Sequence, residues 1–143
     1  MPEPVTEKVV TIPCSTLVYR VLLRNKWVDP DHNSILPDAY IPRANGQDDD
    51  GLSVVLAQTR TPEELTKGAE EVASSFNRTY GVVTLHAGWV RNIDERLDII
   101  PDYLDNQPHH ALLTGIPHQD QNPAEAERLA GQLAKISRLI WSP

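Results

Sequence analysis

Only one cysteine, Cys14, occurs in the chain, so no internal disulfide can form, and the sequence opens with no basic segment followed by an apolar one of the kind that directs export. Both observations lead to the expectation of a cytoplasmic protein. No uncharged apolar run approaches the roughly 20 residues that a bilayer requires, the longest pieces being of the size of Leu52 to Ala57. Aromatic residues are scarce at 6%, and no basic cluster exists: the lysines and arginines are scattered singly through a chain of net charge −7. Nucleic-acid binding, which needs clustered positive charge to neutralise phosphates, is therefore disfavoured. Neither G-x-G-x-x-G nor G-x-x-x-x-G-K-[ST] is present, which removes the common dinucleotide and phosphate cradles.

What is present suits a packed domain. The chain has 143 residues, 40% hydrophobic and 23% charged, and a domain of this size buries roughly 68–70% of the surface its unfolded chain exposes. Twelve prolines should punctuate short elements. Residues 1–16, with Pro2, Pro4 and Pro13, read as a flexible arm, and residues 17–143 as a single domain. Asn77-Arg78-Thr79 fits a glycosylation sequon, which carries no weight without export.

Strands are expected at Leu17 to Leu23, Leu52 to Ala57, Val82 to Ala87, Leu97 to Ile100 and Ala111 to Ile116, each rich in β-branched or aliphatic residues, the last four with Gly or Pro at one end. Between Asn25 and Gly51 lie Pro30, Pro37, Pro42, Gly46 and Asp48-Asp49-Asp50, the composition of a long irregular excursion, with a short strand around Ala39 to Ile41. Thr61-Pro62-Glu63-Glu64 opens a helix with a capping box and proline in the first turn. Leu65, Ala69, Val72, Ala73 and Phe76 then supply its apolar face to about Phe76. A second helix starts with Asn122 and Pro123, with Leu129, Leu133, Ile136 and Ile140 as its buried stripe. Strict βαβ alternation fails after Gly81, so the expected fold is α+β, one mixed or antiparallel sheet of about five strands covered by two helices.

Several constellations invite chemistry. Asp29-Pro30-Asp31-His32-Asn33 opens like a calcium loop, but Ser34 stands where glycine is required and Tyr40 where a bidentate Glu is required. Asp48 to Gly51 continues into Leu52, so both segments read as solvated turns. His109 and His110, with His86 and His118 elsewhere, raise a metal site, yet neighbours on a strand face opposite ways and no ligand spacing is present. No metal and no cofactor is expected. Ser53 and Cys14 lack a G-x-S-x-G elbow, and Ser53 reads as a buried strand residue.

Tyr19-Arg20 on the first strand, Ser53 on the second and Asp98 or Asp102 near a later one resemble, in order, the Arg, Ser and acid of ADP-ribosyltransferase-like folds. The usual acid of that family is Glu, and Asp stands here. The resemblance implies a small enzyme acting on NAD or a nucleotide through Arg20, Ser53 and a carboxylate; His86 and His109 are further candidate catalytic residues of that reading. The leading expectation is different. A small acidic chain without a catalytic signature suits a protein-interaction or accessory protein, such as a member of a two-component, toxin–antitoxin-like system. Its partner would be a protein, and Trp27, Trp89 and Trp141, with Leu139 and Ile140, are the candidate anchors.

Overall fold

The computed structural model describes residues 12–29, 31, 34–42, 51–58, 61–76, 78–103, 107 and 109–143. Each apolar run expected as a strand forms one: β1 (Leu17–Leu22), β4 (Leu52–Leu56), β5 (Gly81–His86), β6 (Asp98–Pro101) and β7 (His110–Thr114). Two-residue strands β2 (Val28–Asp29) and β3 (Ser34–Ile35) pair with each other, and a last strand, β8 (Arg138–Trp141), closes the chain. Six strands form one sheet in the order β6-β7-β4-β1-β5-β8, with every pairing antiparallel. The fold is α+β; among the described residues the main sheet has six strands where about five were expected, a separate two-stranded sheet is added, and there are three helices where two were expected. The helices are α1 (Pro62–Ala73), α2 (Ala87–Ile93) and α3 (Pro123–Ile136).

The extra strand and helix correct two expectations about element ends. The stripe Leu129, Leu133, Ile136, Ile140 does not lie on one helix, because α3 stops at Ile136 and residues 138–141 turn back as β8 along β5. Ser137 marks the break: its backbone is extended, and its hydroxyl bonds to the Leu133 carbonyl at 2.8 Å and to the Tyr40 hydroxyl. A run of Leu, Ile and Trp pairs well at a sheet edge, and that pairing overrides the helical spacing. Likewise the strand ends at His86, and Ala87 begins α2.

One sheet face carries Val18, Leu22, Leu52, Val54, Val83, Leu85, Ile99, Ala111 and Leu113 in a single cluster. Leu129, Ala130 and Leu133 of α3, Ala87 and Val90 of α2, and Trp27, Ala39 and Tyr40 of the excursion complete it. The opposite face carries Tyr19, Val21 and Val82 against Ala69 and Ala73 of α1. Gly68 makes that contact possible, since a Cβ there would lie 2.3 Å from the Tyr19 hydroxyl oxygen. α1 ends at Ala73, so Phe76 is 42% exposed and does not extend the packed face as the spacing predicted. Thr61 donates to Glu64 Oε1 at 2.7 Å, and among the described residues its own side chain makes no cap bond to a backbone amide, so the threonine half of the expected box is not formed. At α3 the expected cap forms, with Asn122 Oδ1 accepting from the Glu125 amide at 3.3 Å.

The excursion contains 3-10 turns at Asn25–Trp27 and Pro37–Tyr40; the strand expected around Ala39 to Ile41 is the second of these. Residues 43–50, with Asp48, Asp49 and Asp50, lie outside the described residues, as do Pro30, His32 and Asn33 of the other acidic segment. Residues 1–11 of the expected arm do so too, whereas Ile12 is buried and the carbonyls of Cys14 and Thr16 accept from Gly88 and Ala87 at 2.9 Å each.

Candidate functional site

The four candidate catalytic residues do not meet. Arg20 is 5% exposed and sits on the core face. Its Nε and Nη2 donate to the Ala39 carbonyl at 3.2 and 2.8 Å, and its Nη1 to the Ser53 carbonyl at 2.9 Å. Its guanidinium lies 5.1 Å from the centre of the Trp27 ring, a cation–π contact. Ser53 is exposed, a correction to its expected burial. Its side chain lies on the α1 face, because Tyr19 pairs with Val55 and residues two apart share a face. Arg20 therefore touches only the backbone of Ser53.

His109 is exposed, and its carbonyl accepts from the Leu56 amide at 2.8 Å. His110 is buried, its Nδ1 within 3.1 Å of the Asp102 carbonyl and 3.0 Å of Asp102 Oδ2. Both partners accept, so Nδ1 carries the proton. Asp98 is paired with Arg91 at 2.7 Å. His86 is on β5, with β1 and β4 standing between it and β7. Among the described residues no three His, Cys, Asp or Glu side chains gather as metal ligands would, and no helix is long and apolar enough to cross a membrane.

The tryptophans divide. Trp27 is core at 3% exposure, and Trp141 is half-buried and packs beside α1. Trp89, on α2, is 56% exposed. Its ring stacks on His86 with centroids 5.3 Å apart and planes 27° from parallel. The abrupt passage from β5 to α2 creates this pair, since His86 ends the strand and Trp89 falls in the first turn of the helix.

Trp89 and His86 border a hollow of about 280 Å³. Its floor is the α1 face of the sheet: Leu17 pairs with His86, and Thr84 with Arg138. Pro62, Leu65 and Thr66 from the first half of α1 overhang it, and Ile136 and Ile140 close the far side. Tyr19 locks the overhang, donating its hydroxyl to the Leu65 carbonyl at 3.0 Å; burial, helped by Glu71, holds that phenol above its ordinary range. On the other side of Trp89 a shallower depression of about 430 Å³ is lined by Asn92, Ile93, Arg128, Gln132 and again Ile136.

His86 Nδ1 is buried and has no hydrogen-bond partner among the described residues. A buried N–H without an acceptor is rarer than an unfilled lone pair, so the ring proton belongs on Nε2, the nitrogen left accessible. Sequence reading reached His86 and Trp89 but not Thr84 and Arg138. The alternation Thr84-x-His86 was visible on one strand; Arg138 was hidden because its segment reads as the continuation of a helix. Compared with protein-family models, curated proteins and solved structures, the chain gives no match.

Proposed function

We propose that this chain is an accessory protein that works by binding another protein, with Trp89 at the centre of the contact. The observation that carries the reading is the position of Trp89: 56% exposed, braced by His86, and standing as a ridge between two hollows that share Ile136. Interfaces are anchored by few residues, tryptophan foremost, set among pockets that the partner fills. An indole held by a stacked neighbour also loses little conformational freedom on binding.

The ADP-ribosyltransferase-like alternative depends on Arg20, whose donors are bonded to the Ala39 and Ser53 carbonyls inside the core. No observation favours it.

The test is affinity purification of the tagged chain from its native cells, beside Trp89→Ala and Trp141→Ala variants, followed by titration of the purified complex. A stoichiometric protein partner is expected, held at least about thirtyfold more weakly by Trp89→Ala. A partner retained equally by Trp89→Ala, or no partner at all, would overturn the reading.

A further inference from the structure

We propose that the hollow between His86, Trp89 and Arg138 is a binding site for a small planar aromatic acid, one or two fused rings bearing a single carboxylate.

Charge is the first argument. The chain carries net charge −7, yet none of the described residues lining this hollow is acidic. Arg138 is exposed on its rim, and no ion pair holds it among the described residues. The contrast with the neighbouring depression is direct: Arg128, which lines that one, is bonded to Glu125 Oε1 at 2.6 Å and to Asp94 Oδ2 at 3.3 Å. The cation of the His86 hollow is left for a ligand.

Strand register supplies the second argument. Thr84 stands opposite Arg138, so His86, two residues along the same face, is the diagonal neighbour of Arg138. Diagonal neighbours are roughly 7–8 Å apart. That gap is too wide for the two side chains to need each other and suits a carboxylate set between two donors, the Nε2–H of His86 and the guanidinium of Arg138.

Shape supplies the third. Leu17, Leu65 and Ile140 give apolar walls, and the indole of Trp89 gives a flat face for stacking. The volume of about 280 Å³ falls just below the range of roughly 300–1,000 Å³ of drug-sized ligand sites. A bicyclic acid fits. The site needs no partner protein and is independent of the partner reading, although both use Trp89.

The experiment is titration of the purified chain with 2-naphthoate and, as the neutral isostere, 2-naphthamide, followed by calorimetry and by amide chemical shifts. Arg138→Gln and Trp89→Ala are made in parallel, and both sites are exposed, so circular dichroism should show the fold retained. Naphthoate should bind, with shifts confined to the residues of the hollow, and naphthamide should bind about tenfold more weakly, as loss of a charge-assisted pair implies. Arg138→Gln should weaken naphthoate by about the same factor and leave naphthamide unchanged. Trp89→Ala should weaken both. The proposal is overturned by an absence of naphthoate binding at millimolar concentration, by equal affinities for acid and amide, or by an Arg138→Gln variant that holds naphthoate like the parent. None of these outcomes bears on a protein partner, which the assay does not contain.

Discussion

Arg20 stands over Trp27 and Arg138 borders a hollow with Trp89, and the two arginines differ in what their donors do. Arg20 lies over Trp27 inside the core, with Nε, Nη1 and Nη2 all bonded to carbonyls. It joins the excursion, through Ala39, to β4, through Ser53, and so fixes the 3-10 turn that brings Tyr40 under α3. Arg138 borders the same hollow as Trp89, at the surface, with no acidic partner among the described residues. The first pair holds the fold together; the second is available to something else. Residue type does not separate them. The parity of strand positions does, because Arg20 points to the core face and Arg138 to the face that α1 only partly covers.

Substitutions at the two arginines test this contrast most strongly. Arg20→Leu leaves the Ala39 and Ser53 carbonyls without their donors in a dry environment, and a loss of about 2–4 kcal/mol in urea unfolding is expected. Arg138→Gln should stay within about 0.5 kcal/mol of the parent in the same assay. Similar values for the two would erase the distinction between structural and available cation.

A smaller effect comes from Tyr40, the residue that the Arg20-held turn buries. Burial pushes its phenol from 10.0 up to about 12, against the opposing influences of the Ser137 hydroxyl and Arg20. The folded state thus prefers the neutral phenol. Its contribution is fully present below pH 10 and is lost as pH rises from 10.0 through about 12. Over that window the parent should lose about 2–3 kcal/mol more stability than Tyr40→Phe, which has no proton to release. Parallel pH profiles for the two proteins would show that Tyr40 is solvated.

A smaller effect again is expected at the other tryptophan. Trp89→Ala should change stability by about 1 kcal/mol or less, since the residue is 56% exposed. A loss of several kcal/mol would place Trp89 in the packing of α2 and α3 and remove the basis for an interface.

How much of this was readable beforehand varied with the range of the interaction involved. Runs such as Leu52 to Leu56, fenced by Gly51 and a polar turn, identified strands, because strand formation there needs only β-branched residues and breakers. Asn122-Pro123 identified the start of α3 through capping chemistry that acts within one turn. The end of α3 was not readable: Ile140 continues a helical spacing, and only the free edge of β5 draws residues 138–141 into a strand. The site was half readable for the same reason. His86 and Trp89 are three residues apart, whereas Thr84 and Arg138 meet only through sheet register.

The sequence by itself determined an α+β chain, the places of most strands and two helices, and the cap of α3. All of these follow from local propensity, patterning and motif chemistry. Tertiary structure alone decided that Arg20 is a core residue and Ser53 an exposed one, that Trp27 is packed and Trp89 is not, and that Thr84 faces Arg138 across β5 and β8 with His86 as the diagonal neighbour. Each of these depends on which sheet face a residue meets and what lies over that face. Strand pairing and helix packing between distant segments set both, and no local pattern encodes them.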